Sequence, residues 1–287
     1  MCQLFGLNSA KPVNPGFSLR GFFQRGGGTD HHADGWGLAW YGDAQTHIQV
    51  RDTAAHQCEE VRAVLARPFR AANVIAHVRK ATEGDVSLLN SHPCVRRLWG
   101  QDWVFAHNGD LKAFYPEPNR HFIPEGNTDS ERAFCHVLGT LVEKFGHRRP
   151  VIEKLQDQVA EASAAIAGHG AFNFLLSDGS VLLAHCSTEL YWVERRAPFT
   201  AVELVDTEES IDFDAHNDAD DRMIIVATKP LTRGEAWYTM APGELALFID
   251  GQRQGNTHAL PSPCDRTAGL AVGGWSTGWG LSTLVLP

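Results

Sequence analysis

The chain has 287 residues, 43% of them hydrophobic and 21% charged, a length and polarity that allow one well-buried core and exclude overall disorder. Its net charge is −9, but nine of its 34 acids fall between Glu203 and Asp221, a stretch without Lys or Arg, and outside it acids and bases balance at 25 each. The excess is local and predicts an exposed, solvated loop; nothing supplies the basic footprint that nucleic acid needs.

The start, MCQLFGLNSAKP, lacks a basic region followed by an apolar stretch, and no apolar run approaches the ~18 residues of a membrane span. Six cysteines are scattered without a C-x-x-C pair. The expectation is a cytoplasmic protein with free thiols and no membrane partner.

Gly26-Gly27-Gly28 reads as a flexible lid or an ordinary turn, and without a following Lys-Ser/Thr it is not a phosphate loop. Asp34-Gly35-Trp36-Gly37 reads as a tight bend with an aromatic wall. Short apolar runs at 37–41, 74–78 and 103–106 read as buried strands. Asp129–Phe145 is the best early helix: Thr128 caps it, Glu131 completes a capping box, and Phe134, Val137, Leu138 and Leu141 follow at helical spacing. A second helix spans 151–167. Strands follow at 171–176 and 181–185, joined by the hairpin signal Ser177-Asp178-Gly179-Ser180, and again at 190–193, 223–227 and 245–249. Strands, helices, then strands imply a layered α+β fold. Residues 253–287 read as a Gly/Pro-rich tail; its two tryptophans, Trp275 and Trp279, suggest a resting place on the body or on a neighbour, hence a possible homo-oligomer.

Cys2 carries the most information. Removal of Met1 would place an α-amine beside the thiol, joining nucleophile and base in one residue; the competing reading is a small buried cysteine on a first strand. Asn108-Gly109 after an apolar strand offers a side-chain amide and a main-chain N–H to an oxyanion, or forms a simple turn. Arg79 can fork onto a substrate carboxylate, or form a surface ion pair. Asp129 can face a substrate ammonium, or merely favour a helix N-terminus. The groups His31, His32, Asp34 and His92, Cys94 match no zinc spacing, so no metal is expected.

In order along the chain stand Cys2, Gly35-Trp36-Gly37, Arg79-x-Ala81-Thr82-x-Gly84, Asn90-x-His92-Pro93, Asn108-Gly109 and Thr128-Asp129-Ser130. This constellation resembles the class II glutamine amidotransferase domain, an N-terminal-nucleophile hydrolase, and within it the stand-alone YafJ-like members. QRGGGT at Gln24–Thr29, LLSDG at Leu175–Gly179 and RRAPF at Arg195–Phe199 extend the likeness over residues 2–252. The resemblance implies a four-layer αββα sandwich in one domain. It implies that Cys2 is the nucleophile, that Asn108 and Gly109 form the oxyanion hole, and that Arg79 and Asp129 hold the head group of glutamine. Thr82 and His92 match positions lining the glutamine pocket, and Lys80 stands where synthetase-linked members carry Trp. No cofactor is implied. Expected partners are glutamine or a γ-glutamyl small molecule and a separate ammonia-accepting enzyme. A stand-alone γ-glutamyl hydrolase and a non-catalytic glutamine sensor are the alternatives.

Overall fold

The computed structural model describes residues 2–42, 45–67, 69–81, 85–117 and 120–255. The chain opens with β1 (Gln3–Val13), α1 (Gly16–Gln24), β2 (Trp36–Gly42), β3 (Gln45–Arg51), α2 (Glu59–Ala66) and β4 (Ala71–Val78). Its middle is β5 (Cys94–Leu98), β6 (Gln101–Leu111), α3 (Asp129–Phe145), α4 (Ile152–Ala167), β7 (Gly170–Ser177) and β8 (Leu182–Cys186). It closes with β9 (Tyr191–Arg196), β10 (Ala201–Leu204), β11 (Ser210–Asp212), β12 (Arg222–Ala227), β13 (Thr232–Arg233), β14 (Tyr238–Thr239), β15 (Glu244–Ile249) and β16 (Gln252–Gln254).

Seven strands form one sheet in the order β14-β9-β12-β1-β4-β2-β3, and six form a second in the order β16-β15-β8-β7-β6-β5. Alternation along each strand builds the layers. On β1, Leu4 points at the second sheet while Phe5 and Leu7 point at α1 and α2. Ile75 on β4 and Ile224 and Val226 on β12 share the inner side with Leu4. On β6, Val104 and Ala106 face inward, while Trp103 and Phe105 pack under α3 and α4. Three apolar cores therefore separate four layers, helix-sheet-sheet-helix, which is the expected αββα sandwich.

The helix α3 matches its sequence signal. Thr128 Oγ1 accepts from the Glu131 N–H at 3.2 Å, and Phe134 stacks on Phe105 with ring centroids 4.9 Å apart. The Glu131 carboxylate does not close the capping box. It accepts instead from the N–H groups of Glu125 (2.9 Å) and Gly126 (2.6 Å) and pairs with Arg96, fastening the loop before the helix. The 177–180 hairpin also forms: Asp178 Oδ1 accepts from Ser180 and Val181, and Gly179 takes φ +88°.

Two further expectations are corrected. Trp36 is no wall of a bend: it lies fully buried in β2, with Phe23 edge-on at 5.5 Å, and belongs to the core. The acidic stretch 203–221 is not simply a solvated loop. It contributes to β10 and all of β11, and its Leu204 and Phe213 join Phe17 and Val202 in a small core. Asp206 is half-buried against Arg25, with 2.7 Å between Nε and Oδ2. Other acids there pair outward, Glu209 with Arg20 and Asp220 with Lys11.

Among the described residues no helix is long and apolar enough to cross a membrane. Residues 256–287, including the two tail tryptophans, lie outside the described residues.

Candidate active site

The site lies at one end of the space between the sheets, where the N-terminus of α3 meets the tips of β1 and β4. Leu4 pairs with His77 across β1 and β4. Since Leu4 and Ile75 face inward, Cys2, His77 and Arg79 follow on the same side at the strand ends. Cys2, His77, Arg79, His92, Gly109 and Asp129 line one small cleft. Asn108 stands beside that cleft without lining it, its side chain turned toward Thr228. Thr82 lies outside the described residues.

Cys2 is half-buried, and its Sγ lies 3.4 Å from both the N and the O of Lys80. Burial pushes its thiol pKa up, partly countered by the Lys80 hydrogen bond and by the nearby positive charges. A sulfur so placed stays protonated near neutrality and needs a base to react. Arg79 is buried and braced: its N–H donates to Gly35 O (2.8 Å), its carbonyl accepts from Asp34 N–H (3.0 Å), and Nη1 donates to Asp85 O (3.1 Å). Asp34 Oδ2 also accepts from the Ala81 N–H at 2.9 Å. The Asp34-Gly35 corner thus serves to fix the strand end that carries Arg79.

The open edge of β6 is the key to the geometry. The strand β5 pairs with β6 only as far as Phe105. Beyond it, the N–H of His107 reaches His92 Nδ1 at 3.5 Å, and the N–H of Leu111 reaches Asp129 Oδ2 at 2.7 Å. Alternation puts the N–H of Gly109, midway between them, on the same open edge. Gly109 has no room for a side chain, because a Cβ there would strike Ala171 O and His107 Nε2. Asp129 Oδ1 further accepts from the Ser130 N–H (2.7 Å), so its carboxylate is held in place at the helix start, while the Ser130 hydroxyl turns its hydrogen to His107 Nδ1.

Three histidines back the cleft. His77 Nε2 meets His107 O at 3.2 Å, and His107 bridges Ser130 Oγ (2.8 Å) and Ala171 O (3.1 Å). Contacts to carbonyl oxygens make those ring nitrogens donors, and the main-chain N–H makes His92 Nδ1 an acceptor. Burial drives all three below the ordinary histidine value: His77 well below it, His92 to about 3, and His107 in the same direction. They are neutral, and His77 Nδ1 and His92 Nε2 are buried without a hydrogen-bond partner, as is Asn108 Oδ1.

Sequence reasoning gave no role to His77, His107, Ser130 or Thr228. For His77 the signal was available: it precedes Arg79 by two residues on a strand, hence shares its face. Nothing in the sequence signalled Thr228, which reaches the site from β12. The expected metal-free reading of His31, His32 and Asp34 meets a structure in which His31 is exposed and His32 is buried beside Asp30 (3.5 Å). Among the described residues the grouping with metal-ligand geometry is Asp218, Asp220 and Asp221, acids at the surface.

Residues 1–268 match the model of the class II glutamine amidotransferases. The chain belongs to that family. It is 40% identical over 254 residues to a candidate glutamine amidotransferase of Haemophilus influenzae, covering 88% of this chain and 86% of that protein. It is 38% identical over 253 residues to the candidate glutamine amidotransferase YafJ of Escherichia coli, covering 88% and 99%. A crystal structure of a predicted glutamine amidotransferase from Pseudomonas aeruginosa superposes with a TM-score of 0.71 at 36% identity, over 89% of this chain and all of that one. The glutamine phosphoribosylpyrophosphate amidotransferase of Bacillus subtilis shares the fold at 17% identity, with a TM-score of 0.53 over 88% of this chain and 48% of its own.

Proposed function

We propose that this family member is an amidohydrolase that cleaves the γ-amide of glutamine through a thioester on Cys2 and releases ammonia for a separate acceptor enzyme. The observation that carries the reading is the edge of β6. A Gly109 N–H points into the cleft between neighbours already taken by His92 and Asp129, in the same cleft as Cys2 and Arg79.

With Met1 removed, the α-amine of Cys2 takes the thiol proton as the sulfur attacks the amide carbon. The carbonyl oxygen gains negative charge and is held by the Gly109 N–H and the Asn108 carboxamide. The ammonium formed on Cys2 returns the proton to the departing nitrogen, and the C–N bond breaks to give ammonia and the γ-glutamyl thioester. Water, deprotonated by the same amine, cleaves the C–S bond to give glutamate and the free thiol. Arg79 binds the α-carboxylate and Asp129 the α-ammonium, so the amide end lies at the sulfur. His92 completes the pocket wall. No step requires a metal or organic cofactor.

The test is a panel of glutamine and γ-glutamyl compounds given to processed protein, with Cys2→Ala as control. Ammonia release from glutamine, absent in the control, supports the reading. Turnover confined to γ-glutamyl peptides or thiols would make the protein a γ-glutamyl hydrolase. Binding of glutamine without turnover, with Met1 retained, would make it a sensor.

A further inference from the structure

We propose that Thr228 is a positioning residue that sets the orientation of the Asn108 carboxamide, aiming its nitrogen at the oxyanion. The inference rests on the reaction proposed above and adds a residue to it.

Thr228 follows the end of β12 and is buried. Its Oγ1 accepts the Leu4 N–H at 2.9 Å, and its own N–H donates to Leu4 O at 3.2 Å, so it is bound to β1 two residues from the nucleophile. The same Oγ1 lies 3.4 Å from Nδ2 of Asn108. In that orientation the threonine oxygen accepts from two groups, and Asn108 Oδ1 is a buried acceptor without a donor. An unpaired buried oxygen is destabilising.

Turning the carboxamide by half a revolution leaves its shape unchanged and exchanges N for O. The Thr228 hydroxyl, which already accepts from Leu4, then donates its hydrogen to Asn108 Oδ1. The unpaired position becomes Nδ2, a donor, beside a cleft that must receive a developing negative oxygen. The Asn108 main chain is fixed separately, its carbonyl accepting from Asn173 Nδ2 at 3.0 Å. The hydroxyl of Thr228 therefore decides which end of the amide meets substrate. It also couples the strand bearing the nucleophile to the strand bearing the oxyanion donors. The rival arrangement keeps Nδ2 on Thr228 and offers Oδ1 to the Cys2 amine.

The experiment compares Thr228→Val and Thr228→Ser with unaltered processed protein on glutamine, recording kcat, KM, thermal midpoint and the rate at which iodoacetamide alkylates Cys2. Alkylation builds no oxyanion and so reports the sulfur alone. Expected for Thr228→Val is a fall in kcat of about 10-fold or more, with KM and alkylation changed less than about twofold. Thr228→Ser, which keeps the hydroxyl, should restore kcat. If Thr228→Val holds or raises kcat, or if kcat and alkylation fall together in both variants, the assignment is overturned. Absence of turnover in the unaltered protein would instead remove the reaction on which it rests.

Discussion

The sulfur of Cys2 is held by the main chain of Lys80, 3.4 Å from its nitrogen and 3.4 Å from its carbonyl oxygen, while the Lys80 side chain is exposed. The lysine therefore serves the nucleophile through its backbone. Lys80→Ala is expected to keep kcat on glutamine within about threefold. Lys80→Pro removes the N–H that donates to sulfur and should lower kcat at least about 10-fold. Steady-state kinetics on both variants checks this; equal losses would assign the effect to the side chain.

Arg79 and Asp129 are predicted to govern binding rather than chemistry. Arg79→Lys keeps the charge but loses the planar fork that matches a carboxylate. It should raise KM for glutamine about 10- to 100-fold, the equivalent of one charge-assisted hydrogen bond of ~1.5–3 kcal/mol, with little change in kcat. Glutaminamide, which lacks the α-carboxylate, should then be processed almost equally by both proteins.

The buried histidines predict an acid-sensitive fold. His92, at about 3, and His77 and His107, also lowered, stay neutral when folded, whereas the unfolded chain takes up protons near the ordinary value of 6.5. Their contribution is complete above that value and is lost as pH falls through it, because the unfolded state then binds more protons. For His92 the loss continues down to about 3. Each such histidine adds a slope of up to ~1.4 kcal/mol per pH unit. Urea unfolding followed from about pH 7 to about pH 5 should show the midpoint falling, with a shallower fall in His92→Gln.

Much of the fold was legible because its signals were local. The Thr128 cap and the 3.6-residue spacing of Phe134, Val137, Leu138 and Leu141 located α3 to the residue. The helix α1 was not legible. Gly16 and Gly21 weaken its intrinsic propensity, and the packing of Leu19, Phe22 and Phe23 against β1 and β2 supplies what local sequence does not. Gly21 is there for space, since a Cβ would sit 2.8 Å from Leu204. That contact also shows why the acidic 203–221 stretch was misread: composition reports charge, not that Leu204 and Phe213 are core or that Asp206 meets Arg25. At the site, Cys2, Arg79, Gly109 and Asp129 were readable as an ordered set of motifs, and the structure brings them to one cleft. Thr228 and the histidine backing come together only through strand pairing distant in sequence.

Gly109 is predicted to tolerate no side chain. Gly109→Ala would force its Cβ onto Ala171 O and His107 Nε2, displacing β6 from β7. Overpacking of this kind costs about 1–3 kcal/mol and also moves the N–H proposed to hold the oxyanion. The variant should melt lower and lose kcat together, whereas Asn108→Ala should lose kcat with a smaller change in melting temperature. Calorimetry beside kinetics separates the two.

Sulfur attack at Cys2 underlies every step of the proposed reaction. Processed protein is mixed with glutamine, quenched in acid within one turnover, digested and analysed by mass spectrometry. A γ-glutamyl group on the N-terminal cysteine, appearing before glutamate and missing from Cys2→Ala, is the predicted result. Undiminished ammonia release by Cys2→Ala, or an adduct on any other residue, would contradict it.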